Sequence, residues 1–479
     1  MSSAQGLLLH VAVLLASAPL LIQPVQSVKH PKWHLNEGIG SSSWLEELSG
    51  RLTSGQRNTV SGWDHAASEQ LSNCAESALQ GLNALYWATG GETWSQDSRD
   101  GWNKTKQCCS WNGVACESSG QVTKLSLIHS NLTGDIPEEF AASESLQQSL
   151  TVLMLGENRI KSLPENIGLL SNLLFLEIND NGGSLNLPES LGDTSLVYLR
   201  IGNGTEHPPY EGTRLVTIPD SLASLKRLRV LDLNHNSLTG QLNPDILNLP
   251  DLEVIDFSLG QVMIDFPGNG FSKLRKLRHL ALDYNVLVEL PDNIHQAKKL
   301  EYFSVSPEPG VFHGKLPESI GQLTNLTYLS FTGNYNAQAP IPSSIWNITS
   351  LQYMDISYNS IAGSWPETFE QHGNLTYLEM GAMMFGHLPD ILGQLTNLTH
   401  FGIRTNQLTG PIPESLGSLS KLKFFNVAGN GLNGTIPGSL KSFLPGLVEY
   451  SCQMDSNDFS CPIPSFVPSY CGATCSPVK

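Results

Sequence analysis

Apolar positions along this chain return with two nested rhythms. The shorter is Leu-x-x-Leu-x-Leu, in which alternate residues are apolar, the two-residue period of a half-buried strand. The longer is the return of that block about every 24 residues from Val122 onward, followed in its fullest form by Asn-x-Leu-x-Gly-x-Ile-Pro. The clearest copies are Leu398 to Lys421, with Leu408-Thr-Gly-Pro-Ile-Pro413, and Leu422 to Gly446, with Leu432-Asn-Gly-Thr-Ile-Pro437. Leu228 to Asp251 and Leu351 to Asn374 match nearly as well, and 13 copies fit between Val122 and Gly446, with a partial copy from Leu447. A variant without the Gly occurs at Asn158-Arg-Ile-Lys-Ser-Leu-Pro164 and Asn285-Val-Leu-Val-Glu-Leu-Pro291.

A unit this short cannot bury its own leucines, so each copy must be one coil of a stacked array, stabilised by its neighbours. The strands of successive coils then form one parallel sheet, and the fold class is an α/β solenoid. The Asn after each strand is expected to turn inward and satisfy backbone groups of the turn. Asn158, Asn181, Asn236, Asn285, Asn334, Asn359, Asn406 and Asn430 hold this place; Ser130, Gly204, Gly260, Glu308 and Met383 replace it, which predicts local distortion there. The Pro after the second apolar residue ends strand pairing, because it lacks a donor. Extra residues in Leu196 to Arg227, including His207 to Thr213, and at Ser306 to Gly310 predict loops on one face.

An open array needs covers. Leu71, Cys74, Ala78, Leu82 and Leu85 fall on one face of a predicted helix over Ser68 to Thr89, which Gly90-Gly91 ends, and Trp94, Trp102 and Trp111 supply bulk over the first coil. Phe459, Pro462, Ile463, Pro464 and Phe466 lie among four cysteines at the other end. The organisation expected is a signal peptide over 1–27, a flexible leader over 28–67, an N-terminal cap over 68–121, the solenoid over 122–446, and a terminal repeat with its cap over 447–479.

Composition narrows the setting. Residues 1–27 carry no Asp, Glu, Lys or Arg and contain the apolar runs Leu7 to Leu15 and Leu20 to Ile22, which read as a secretory signal, with a retained anchor as the alternative. Nothing else approaches the ~20 apolar residues of a spanning helix, so no membrane span is expected after signal removal. Cys74, Cys108, Cys109 and Cys116 lie at one end and Cys452, Cys461, Cys471 and Cys475 at the other, which suits two disulfide-stapled caps in an oxidising compartment better than zinc-ligand spacings. The formal charge of −17 argues against nucleic-acid binding. There is no Gly-x-Ser-x-Gly elbow, no His-Glu-x-x-His and no phosphate or dinucleotide loop. The expectation is a protein without catalytic residues, cofactor or metal.

The repeat Asn-x-Leu-x-Gly-x-Ile-Pro, together with Ala84-Leu-Tyr-Trp-Ala-Thr-Gly-Gly91, Trp102-Asn and Cys108-Cys-Ser-Trp-Asn-Gly-Val-Ala-Cys116, resembles the plant-type extracellular leucine-rich-repeat family, and is similar to polygalacturonase-inhibiting proteins and receptor-like protein ectodomains. The resemblance covers about Leu79 to Cys475. It implies a right-handed superhelix with its parallel sheet on the concave face, and cap disulfides Cys74–Cys108 and Cys109–Cys116. The pairing of the four C-terminal cysteines stays open among three connectivities. No kinase domain is present, so receptor-kinase signalling is not expected of this sequence.

Counted from the first Leu, positions three, five and seven of each coil face outward from the sheet. Position three reads Tyr302, Tyr328, Tyr353, Tyr377, His400 and Phe424, an aromatic stripe, and position five beside it includes Asp355 and Glu379. Earlier coils add Glu177, Asp232 and Asp256, with Asp283 at position seven; Arg404 is the main cation of the late coils. Rings give rigid contact area at low entropic cost, and carboxylates select basic or hydroxyl-rich groups. These nine residues, from Tyr302 to Phe424 with Asp355, Glu379 and Arg404, are the expected ligand-binding set. Sequons at Asn103, Asn131, Asn203, Asn325, Asn347, Asn374, Asn397 and Asn433 fit a glycoprotein, and Asn325, Asn374 and Asn397 precede the first Leu of their coils, hence share one flank. The function expected is that of a secreted or cell-wall-associated recognition module whose concave face binds an extracellular protein, peptide or glycan. The alternatives are an adhesive matrix protein and an inhibitor of a secreted polysaccharide hydrolase.

Overall fold

A computed structural model describes residues 74–476, apart from 182, 203–212, 216, 237, 307–313, 334–339, 360–361, 364, 366–371 and 382. The signal-like segment, the leader, Asn203, Gly204, Glu308, Asn334 and nearly all of both insertions lie outside the described residues.

The Leu-x-x-Leu-x-Leu blocks form a single 15-stranded sheet. Its first strand, Val114–Cys116, comes from the N-terminal cap and pairs antiparallel with Val122–Ser126. Every later strand is parallel to its neighbour, in unbroken register from Val152–Met154 to Phe424–Asn426, and Cys452–Gln453 closes the row. Inward-facing leucines stack into one continuous core: Leu153, Leu176, Leu199, Leu231, Leu280, Leu329 and Leu378 are all fully buried. Each contributes ~1.5–3 kcal/mol that its own coil could not supply alone.

Buried asparagines fasten the turn after each strand. Asn158 donates to the carbonyls of Leu127, Leu155 and Gly156 and accepts from the amides of Ser130 and Leu132, so one side chain ties two coils. Asn181, Asn236, Asn285, Asn406 and Asn430 repeat the pattern, and so does Asn457 in the terminal coil. Where Gly260 replaces the Asn, Gln261 takes positive φ, as Asn131 does after Ser130. The left-handed residue before that place, Leu259 here, recurs in coils that keep the Asn, at Glu157, Asp180, His235, Tyr284, Tyr358 and Thr405. The Cβ of any other residue at Gly260 would lie 2.7 Å from the Phe257 carbonyl.

Two features go beyond the sequence pattern. After the turn, the Asn-x-Leu-x-Gly stretch forms a second sheet of six parallel strands, Ala362–Gly363, Met383–His387, Gln407–Pro411, Gly431–Gly434, Asp458–Ser460 and Cys475–Ser476. On the convex side the coils carry short 3-10 helices such as Glu318–Gln322, Asp390–Gln394 and Glu414–Ser418, each starting after a proline. A 3-10 turn rises ~2.0 Å per residue against ~1.5 Å for an α-helix, so it crosses the coil with fewer residues. Among the described residues, only the longer first coil holds α-helix, at Glu138–Ala141 and Glu144–Ser149.

Both caps are stapled. Helix Glu76–Ala88 buries Leu79, Leu82, Leu85 and Tyr86, and stops at Gly90 in the left-handed region. Trp94, Trp102 and Trp111 pack edge to face or tilted with centroids 4.9 Å apart over the first coil. Cys74–Cys108 and Cys109–Cys116 are bonded. At the far end the pairs are Cys452–Cys471 and Cys461–Cys475, around the buried Phe459.

Candidate ligand-binding face

Parallel strands in exact register place identical repeat positions directly above one another, about 4.8 Å apart. Position three therefore stacks ring on ring. His279, Tyr302, Tyr328, Tyr353, Tyr377, His400 and Phe424 form one unbroken pile, with centroid separations of 4.2, 4.2, 4.2, 4.1, 3.9 and 4.1 Å and planes within 14° of parallel. The stripe starts one coil earlier than Tyr302, because His279 holds the third place of Leu277-Arg-His-Leu. A second pair, Phe175 and Tyr198, stacks at 4.1 Å in the earlier coils, separated from the pile by Val230 and Val254.

Stacking changes what the rings offer. Their faces are covered by one another, so Tyr328 and Tyr353 retain only 5% and 7% of their exposure, while Tyr302, Tyr377, His400 and Phe424 are half-buried. The stripe is a closed floor that presents ring edges, not the open faces expected of isolated aromatic residues. Burial raises the phenol pKa values of all four tyrosines above their ordinary value, and the neighbouring carboxylates Asp283 and Asp355 add to this at Tyr328 and Tyr353.

Polar groups line the floor. Position five carries Ser304, Ser330, Asp355 and Glu379 in consecutive coils. Asp283 accepts from Ser304 Oγ at 2.7 Å, and Asp355 accepts from the amide and hydroxyl of Ser357 at 2.9 and 2.6 Å. Glu379 reaches His400 Nε2 at 2.7 Å by lying across Gly402, where any Cβ would overlap its carboxylate. Arg404 stands 5.2 Å over the ring of Tyr358. Eight of the nine expected ligand-binding residues thus share one contiguous part of the sheet; Arg404 borders it at position seven.

The earlier coils are different. Arg200 lies 3.2 Å from Asp232 and 3.6 Å from Glu177, a closed clamp. Asp232 is fully buried despite its outward-facing repeat position. Burial first, then the nearby Asp256, push its carboxyl up to about 7 against the pull of Arg200. Burial likewise raises Glu177. Both were expected to be open contact groups; the structure makes them internal partners of Arg200.

The family model for Leucine Rich Repeat matches residues 227–249 and 350–372. The chain is a leucine-rich-repeat solenoid, and it is similar to plant receptor-like proteins. Receptor-like protein 9DC1 of Solanum pimpinellifolium is 30% identical over 254 residues, which are 46% of this chain and 28% of that protein. Lumican of Gallus gallus is 30% identical over 191 residues, 38% of this chain and 53% of its own length. The chain thus spans between a quarter and about half of these relatives. Among solved structures, the plant peptide hormone receptor RGFR1 in complex with RGF2 superposes with a TM-score of 0.63 at 27% identity, covering 75% of this chain and 58% of that one. A TDR receptor gives 0.61 at 28%, covering 72% and 57%.

On this leucine-rich-repeat frame, sequons Asn103, Asn131, Asn325, Asn347, Asn374 and Asn433 are exposed and Asn397 is half-buried. Asn325 and Asn397 hydrogen-bond to the carbonyls of Lys298 and Gly373 in the preceding coils, at the same repeat place, which puts them on one flank of the sheet. Among the described residues no helix is long and apolar enough to cross a membrane.

Proposed function

We propose that this leucine-rich-repeat protein is a secreted, glycosylated recognition module without enzymatic activity, which binds an extracellular peptide or protein segment on the concave floor from His279 to Phe424. The observation that carries the reading is the seven-ring pile, edged by Asp283, Asp355 and Glu379. Positions three, five and seven of the coils from Leu252 to Met380 hold four carboxylates and no Lys or Arg among the described residues. That balance favours a ligand with cationic or donor groups. Covered ring faces leave no stacking platform for a sugar, which favours a peptide over a glycan at this site. RGFR1 and its hormone are a relative's example of such a pairing.

Gly381 offers the test. It lies at position seven beside Glu379, and a Cβ there meets nothing nearer than 3.4 Å. Gly381→Arg should keep the melting temperature within ~2 °C, yet lay a long cation across the acidic floor. Affinity capture from extracellular fluid with the wild-type chain should retain a peptide or protein that the variant loses. Equal retention by both would reject the site.

A further inference from the structure

The N-terminal cap holds a groove of about 280 Å³ that the concave face does not use. Helix Glu76–Ala88 supplies one wall, with Glu76, Gln80 and Asn83 on successive turns beside the buried Leu79. The loop 103–106 supplies the other wall. Both walls are fixed. Cys74 donates its amide to the Lys106 carbonyl at 3.1 Å and is bonded to Cys108. Trp102 is buried directly before the loop, and Trp111 Nε1 donates to Thr105 Oγ1 at 3.3 Å. The groove is therefore preformed, which lowers the ordering cost of filling it.

Its lining suits a neutral ligand rich in hydrogen-bonding groups. Lys104 pairs with Asp100 at 3.6 Å, and Glu76 and Lys106 carry opposite charges, so little net charge is left to select an ion. Asn83 is half-buried, and its Oδ1 is enclosed with no hydrogen-bond partner among the described residues. A turn about the last side-chain bond brings either end of this amide to the groove, so it can accept or donate. The volume lies just below the ~300–1,000 Å³ of ordinary small-molecule sites, room for one sugar ring with its substituents and not for a branched chain. Asn103, the first residue of the sequon Asn103-Lys-Thr105, stands in the wall itself, exposed and at a φ of 56°. A sugar on its Nδ2 therefore begins at the groove.

We propose that this groove is a docking site for an N-acetylhexosamine, filled by the first sugar of the protein's own Asn103-linked glycan, which thereby becomes part of the N-terminal cap. The acetamido group and ring hydroxyls meet the amides of Asn83 and Gln80, and the apolar side of the ring meets Leu79. Attachment makes the docking intramolecular, so a contact too weak to hold a free sugar suffices. The filled groove ties the helix to the loop and slows its opening. The inference rests on the glycosylated reading above and not on any ligand of the concave floor.

The experiment uses the full secreted chain. Glycopeptide mass spectrometry should find Asn103 occupied. Hydrogen–deuterium exchange over Glu76–Ala88 is then compared in three forms: the intact glycan, the glycan cut to its first N-acetylglucosamine by an endoglycosidase, and Asn103→Asp, which removes the sequon with a residue tolerated at that φ. The intact and trimmed forms should exchange alike, and Asn103→Asp at least about threefold faster. Asn83→Ala should speed exchange to the same degree in the glycosylated chain and have no effect on top of Asn103→Asp. An unoccupied Asn103 beside occupied sequons elsewhere, a trimmed form that exchanges like Asn103→Asp, or an Asn83→Ala effect that persists without the sugar would each overturn the proposal. Glycan at no sequon would overturn the glycosylated reading with it. Capture on the concave floor should be equal for Asn103→Asp and the wild type, so the two sites fail separately.

Discussion

Asn158 and Asn172 show how differently one residue type serves in this fold. Asn158 is buried and makes five hydrogen bonds to backbone groups of two coils. Asn172 is exposed and donates to the carbonyls of Gln147 and Gln148, which solvent could satisfy instead. Asn158→Ala leaves several buried donors and acceptors unpaired and should cost roughly 3 kcal/mol or more, whereas Asn172→Ala should cost about 1 kcal/mol or less. Denaturant unfolding of the two variants measures the contrast, and similar losses would contradict this account of the turns. The asparagine row was legible in the sequence because a fixed spacing after each strand left it one structural role. The consequences of its absence at Gly260 were legible only as distortion, since the positive φ of Gln261 depends on how the chain closes without that anchor.

Among the elements, the concave strands were the most readable, because the two-residue alternation fixes which side chains face out. What alternation could not show was the effect of identical neighbours. Tyr328 and Tyr353 face outward and are nonetheless buried, since exact register brings each ring within stacking distance of the next. Asp232 is enclosed by the same logic, with Arg200 and Asp256 on adjacent strands. Its folded pKa of about 7 lies above the ordinary 3.8, so the folded state holds this proton more tightly than the unfolded chain. The stability it contributes is therefore full below about pH 4 and is lost as pH rises through about 7. Wild type should lose stability relative to Asp232→Asn across that window. Thermal unfolding from pH 4 to 7 checks it, and a difference that stays flat or grows with pH would contradict the burial argument. The second sheet lay outside the sequence reading because its strands are short, with Gly and Pro inside them, and exist only through pairing with the neighbouring coil.

At the scale of the molecule, the stacked coils sort chemistry by side among the described residues. The concave floor is aromatic and acidic, one flank bears sequons, and the second sheet lies beyond the asparagine turns on the other flank. Repetition makes this sorting possible, since a residue type repeated at one place becomes a continuous surface. The stripe and the flank could be traced from the repeat alone, and the closed Arg200 clamp could not, because it depends on which charges meet across adjacent strands. The central claim is that ligand lies on the floor from His279 to Phe424, and hydroxyl-radical footprinting of the wild-type chain with its captured ligand tests it most directly. Oxidation of the half-buried Tyr302, Tyr377 and Phe424 should fall when ligand is added, while exposed Trp87, Phe385 and Tyr450 remain as reactive as before. Protection of Phe385 or Tyr450 with the floor unchanged would contradict it.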